Sequence, residues 1–204
     1  MSQMFDDPLR WLRAAAHRTR ELAMNRAETG LGHQDADDDA GTIGTDGARG
    51  FDPFPLLEAL HRHGVRAVVI GQVAGIMHGS NELTGDLDLL WDGDPAHAPA
   101  LADAFASVDA RLTGETGDAL PVRPESFLRP KVEFTATGAG GDCCTPALPW
   151  GSLDAREFLA RALTASGPGG LEVHYASRDD LIRMRRAIGR PKDLRRAAEL
   201  DAPG

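Results

Sequence analysis

The stretch Val69-Ile70-Gly71-Gln72, followed after His78-Gly79-Ser80 by Thr84-Gly85-Asp86-Leu87-Asp88-Leu89-Leu90, constrains this chain more than any other. Arg66 to Ile70 reads as an apolar strand, Gly71 as a turn into a short helix, and Asp86 to Trp91 as a second strand. Successive side chains alternate across a strand, so Asp86 and Asp88 share one face while Leu87 and Leu89 face the core. Two carboxylates held that close repel unless a cation lies between them. Hard oxygen ligands suit Mg²⁺, which binds through one or two carboxylates plus substrate phosphates. The pair therefore reads as a metal site for phosphoryl or nucleotidyl chemistry. An exposed strand end with no metal is the plainer reading. The glycine turn, where backbone can approach a ligand, weighs against it.

The remaining elements alternate as in an α/β domain. Asp52 caps a helix with Pro53 at its first position, burying Leu56, Leu57 and Leu60, and Gly64 ends it. A helix is expected over Pro95 to Val108 and a strand over Lys131 to Ala136. A turn at Gly138 to Gly141 then leads into a strand from Asp142 to Thr145. Further on come a helix over Asp154 to Thr164, a strand over Leu171 to Tyr175, a helix opened by Ser177 and Asp180, and a last helix over Pro191 to Leu200. His78 reads as a structural ring near Gly79. Cys143 and Cys144 are adjacent, and two cysteines alone make neither a bridge nor a zinc site, so they read as buried thiols.

The N-terminal third differs. Residues 1–27 carry Phe5, Leu9, Leu12 and Ala16 at helical spacing among arginines, an amphipathic helix expected to dock on the protein's own body, a dimer mate or a partner protein. Residues 28–50 hold six carboxylates against Arg49, including Asp37-Asp38-Asp39, which is more than half of the net charge of −9. With few apolar side chains the segment reads as a flexible acidic linker. Residues 51–204 form the folded domain. The body is only mildly acidic, which excludes a general nucleic-acid coat but not a local basic patch. No apolar run reaches the roughly eighteen residues of a membrane span. The N-terminus has no signal-like apolar segment, so a cytoplasmic protein is expected.

The His78-Gly79 and Thr84-Gly85-Asp86-Leu87-Asp88 arrangement resembles the core motif of the nucleotidyltransferase superfamily of DNA polymerase β type, in particular its small AbiEii toxin-like branch, over about Phe51 to Leu200. The resemblance implies a mixed β-sheet of nucleotidyltransferase type flanked by helices, and transfer of a nucleoside monophosphate from an NTP to a hydroxyl of RNA such as tRNA, of protein or of a small molecule. It implies a toxin–antitoxin setting and Mg²⁺ or Mn²⁺ as cofactor. Asp86, Asp88 and a third carboxylate would hold the metal; Asp142 is preferred, and Glu133 is the other candidate. Gly71, Gln72, Arg185, Arg190 and Lys192 would orient the triphosphate, with Ser80 and Thr84 as supporting donors. Two positions depart from the pattern: Gln72 stands where the superfamily has a small residue, and Arg185 where relatives place lysine. Arginine clamps phosphate in a fork that lysine cannot make. The alternative is a catalytically inactive protein of the same fold that binds a partner protein.

Overall fold

The computed structural model describes residues 7–36 and 41–202 of the 204-residue chain. The expectations for Phe5 and for Asp37, Asp38 and Asp39 fall outside these residues. The fold is mixed α/β. In chain order the helices are α1 (Pro8–Met24), α2 (Phe54–Arg62), α3 (Gly71–Met77), α4 (Ala98–Ala106), α5 (Pro124–Phe127), α6 (Ala155–Ala160), α7 (Arg178–Ile188) and α8 (Pro191–Asp201). The strands are β1 (Val68–Ile70), β2 (Asp88–Leu90), β3 (Arg111–Thr113), β4 (Ala119–Leu120), β5 (Lys131–Ala136), β6 (Ala139–Cys144), β7 (Leu163–Ser166) and β8 (Glu172–Tyr175). They form one sheet in the order β4-β3-β5-β6-β2-β1-β8-β7.

The centre of the sheet positions the site. β1 runs antiparallel to β2 with Ile70 opposite Asp88, and β2 runs parallel to β6 with Leu89 opposite Cys143. The β5–β6 hairpin sets Glu133 directly across from Asp142. Leu87 and Leu89 are fully buried, as strand alternation requires, and so are Val68, Val69 and Ile70 beside them. β2 is shorter than expected: it begins at Asp88, and Asp86 lies in the approach to the strand rather than on it. A Cβ at Gly141 would collide with the Leu87 backbone, so this close pairing needs glycine. The turn expected over Gly138 to Gly141 is largely part of β6, and the helix expected to reach Thr164 stops at Ala160. Edge strand β7, which pairs with β8, takes its place.

α1 packs on α3 and on the 3-10 turn at Asp46–Gly50. Asp7 caps it through the Arg10 N–H at 3.0 Å, and Leu9, Leu12, Ala15, Ala16 and Ala23 are buried. Of the docking places expected for this apolar face, the chain's own body is the one it packs on. The segment read as a flexible linker is folded wherever it is described. It contains short 3-10 turns at His33–Asp35, Thr42–Gly44 and Asp46–Gly50, with Thr42, Thr45 and Ala48 buried. Polar contacts do what apolar burial does elsewhere. Arg20 donates to the Phe51 carbonyl (2.7 Å), Arg26 to those of Ile43 and Thr45 (3.0 and 2.7 Å), and Asp46 accepts from the Thr29 and Gly30 amides (2.9 and 2.8 Å). A segment poor in hydrophobic residues can still be ordered when its backbone groups find partners in the folded body.

Candidate metal centre

Asp86, Asp88 and Asp142 all line one cleft of about 490 Å³, whose lining also includes Gly71, Lys131 and Glu133. Asp88 comes from the start of β2 and Asp142 from the neighbouring β6, whose N–H donates to Asp88 Oδ1 at 3.2 Å. Asp86 is oriented by two hydroxyls: Thr42 donates to its Oδ1 at 2.8 Å, and Thr84 donates to the same oxygen. The two threonine hydroxyls are also in contact with each other, 2.8 Å apart. Gly71 begins α3 at φ 65°, and a Cβ there would run into the Asp88 carboxylate. Glycine at this turn is thus what lets Asp88 stand beside the helix start.

A fourth side chain joins them that the sequence pattern did not single out. His33 places Nδ1 3.4 Å from Asp86 Oδ2 and Nε2 3.8 Å from Asp142 Oδ2. Ligand atoms of His33, Asp88 and Asp142 all lie within 4.8 Å of one another. Lys131 Nζ stands 3.4 Å from Asp142 Oδ2. Asp86 and Glu133 line the same cleft, but neither is part of this close group. His33 lies in a polar run without periodicity. Its only signal in the sequence is an imidazole isolated among glycines and acids.

The electrostatics follow from three carboxylates in little space. Burial, together with the charges of Asp86 and Asp142, pushes Asp88 up to about 8 from 3.8. The nearby Asp142 carboxylate, with the charges of Asp88 and Asp86, raises His33 from 6.5 to about 9 against the effect of burial. Burial would raise Asp142, but His33 and Lys131 overcome it and hold its carboxyl below the usual range. Asp142 Oδ1 is nonetheless buried without a hydrogen-bond partner. A divalent cation fits this donor set. It would satisfy that oxygen and offset the burial and the repulsion that keep Asp88 protonated.

The expected triphosphate-orienting residues are placed less uniformly. Gln72 and Arg185 line the cleft, but their polar atoms are engaged with the protein. Gln72 Nε2 donates to Ser80 Oγ (3.0 Å) and the Glu82 carbonyl (2.7 Å), while its oxygen accepts from Arg185 at 2.7 Å. Arg185 also donates to the carbonyls of Arg196 (2.9 Å) and Gly71 (3.3 Å), and burial lowers its pKa to about 10. Ser80 is buried away from the cleft and donates to Glu199 at 2.8 Å. Arg190 and Lys192 also line the cleft, and Arg190 pairs with Asp193 at 2.6 Å. His78 is structural, its Nε2 2.8 Å from the Ala176 carbonyl and its ring 5.1 Å from that of Tyr175. Cys143 and Cys144 are free and buried.

No protein-family model matches this chain, and no curated protein is significantly similar to it.

Proposed function

We propose that the protein is a divalent-metal-dependent nucleotidyltransferase of the DNA polymerase β type that moves a nucleoside monophosphate from an NTP to an acceptor hydroxyl of RNA, protein or a small molecule. The observation that carries this reading is that Asp88 and Asp142, together with His33, bring ligand atoms within 4.8 Å of one another in a cleft that Asp86 also lines, with an Asp142 oxygen buried and unsatisfied. A metal held by these residues, Mg²⁺ or Mn²⁺, supplies charge neutralisation at the transferring phosphate and makes the attacking hydroxyl more acidic. Asp86 enters pre-oriented by Thr42 and Thr84, which reduces the reorganisation needed when the cation is held. Asp142 is the residue to favour loss of the acceptor proton, and Lys131 keeps it ionised for that role. Arg190 and Lys192, which line the same cleft, would balance triphosphate charge. Gln72 and Arg185 hold α3 against α7 and the start of the site rather than touching phosphate. Among the described residues no helix is long and apolar enough to cross a membrane, and a supply of NTP would place the reaction in the cytoplasm.

The test is transfer from α-³²P-labelled NTPs with Mg²⁺ or Mn²⁺ to total tRNA, to cell protein and to the chain itself. The reading expects label transfer with pyrophosphate release, reduced by about a hundredfold or more in Asp86→Asn and Asp88→Asn, as for loss of a group acting in the transition state. Transfer that survives in Asp88→Asn would remove the carboxylates from the chemistry.

A further inference from the structure

We propose that His33 is a built-in counter-ion occupying the cation position of the carboxylate cluster, so that a divalent metal enters only by displacing the imidazole. The inference rests on the metal-site reading above and adds how that site is controlled.

Three observations carry it. Both nitrogens of His33 face carboxylates of one cluster, Nδ1 3.4 Å from Asp86 Oδ2 and Nε2 3.8 Å from Asp142 Oδ2, so the imidazole stands against the oxygens that would hold the ion. The ring thus spans the gap that a bridging ion would fill. A cation that draws these oxygens to about 2.1 Å competes with the imidazole for the same carboxylates.

Secondly, the contact is electrostatic rather than locked. Nδ1 is buried with no hydrogen bond of good geometry, although Asp86 is near. Nothing directional has to be broken at that atom for the ring to leave. Thirdly, His33 and Glu133 are shared by the linings of the main cleft and of a second cavity of about 270 Å³, which also reaches Thr113, Thr135 and Gly141. The residue borders both spaces, so a ring withdrawn from the carboxylates has a second space beside it. The device that holds it is local. His33 sits on a single 3-10 turn closed by the Gly32 N–H on Asp35 Oδ2 (2.8 Å), and Asp46 fixes the chain just before it through Thr29, Gly30 and the Leu31 carbonyl (2.9 Å).

The test is Mn²⁺ titration of the full chain, followed by electron paramagnetic resonance of free ion, for wild type, His33→Ala, His33→Lys and Asp88→Asn. If the plugged state dominates, apparent affinity is reduced by the fraction of open protein, and removing the plug restores it. Expected are a dissociation constant at least about tenfold lower in His33→Ala than in wild type, no gain in His33→Lys, which keeps a cation there, and loss of binding in Asp88→Asn. Equal or weaker binding in His33→Ala, still abolished by Asp88→Asn, overturns the counter-ion role and leaves the metal site intact. No Mn²⁺ binding by any variant, His33→Ala included, overturns the metal site and the plug with it.

Discussion

At the residue scale, the proton balance of the cluster sets how the protein responds to pH. Asp88 titrates near 8 instead of 3.8 when folded, and His33 near 9 instead of 6.5. Between each pair of values the folded chain holds a proton that the unfolded chain has released, and stability falls as pH rises wherever the native state binds more protons. Asp88 therefore costs stability progressively from about pH 4 to 8. The contribution of His33 is full below 6.5 and is lost as pH climbs through 9. Metal-free protein is expected to show a melting temperature that declines steadily from about pH 6 to 9. Both Asp88→Asn and His33→Ala should flatten the decline, as scanning calorimetry across that range would reveal. A slope unchanged in both variants would show that the two groups do not carry these protons.

The same balance links protons to metal. A cation that ionises Asp88 and displaces the His33 imidazolium draws protons from both, so Mn²⁺ affinity should rise with pH up to about 9. The released protons are countable by calorimetry in buffers of different ionisation enthalpy.

At the scale of elements, two packing relationships decide whether the site stays assembled. Arg185 of α7 reaches across α3 to Gln72 and the Gly71 carbonyl, passing over Gly75, where a Cβ would lie only 2.6 Å from its Nη2. Removing the guanidinium leaves the Gln72 oxygen and two carbonyls short of a donor. Arg185→Ala should cost about 1.5–3 kcal/mol, the range for hydrogen bonds to charged groups. Lysine should not rescue it, because one ammonium cannot make the fork. Chemical denaturation of the three proteins checks this. If Arg185→Ala is as stable as wild type and only its NTP affinity falls, Arg185 is a phosphate ligand after all. The second relationship is α1 on the body. Leu12 is fully buried, and Leu12→Ala should destabilise the whole chain by about 2–5 kcal/mol in a single transition. A helix merely tethered by a linker would leave the main transition unmoved.

These elements also show what the sequence could and could not disclose. The β1–α3–β2 unit was legible because Val68-Val69-Ile70 is a fully buried strand, and because two aspartates one residue apart, ahead of an apolar strand, repel each other until a cation or a proton intervenes. Asp142 was reachable as the residue after a glycine run, although the hairpin that sets it opposite Glu133 leaves both facing the cleft. β3, β4 and β7 escaped because two to four residues carry no measurable period. Gln72 and Arg185 are 113 positions apart, and no local pattern pairs them. Thr42 and His33 reach the site only because Arg20, Arg26 and Asp46 satisfy the backbone of residues 29–51, long-range polar contacts that a hydrophobicity pattern does not encode.

At the scale of the whole molecule, the sheet changes direction where the chemistry sits. β2 is antiparallel to β1 on one side and parallel to β6 on the other, and the carboxylates gather at that junction between helices α3 and α7. The N-terminal helix and the acidic segment after it are not appendages to this arrangement. They supply Thr42 and His33 to its floor. The chain should accordingly lose metal and nucleotide binding if residues 1–50 are removed.

Everything proposed for this molecule depends on Asp86, Asp88 and Asp142 holding a divalent cation and, with it, an NTP. The decisive experiment is calorimetric titration of each NTP into the full chain, with Mn²⁺ and with chelator, repeated on Asp86→Asn/Asp88→Asn. Expected is binding that requires the metal and vanishes in the double variant. Binding of no NTP in the presence of Mn²⁺, or binding equally strong in the double variant, would contradict it.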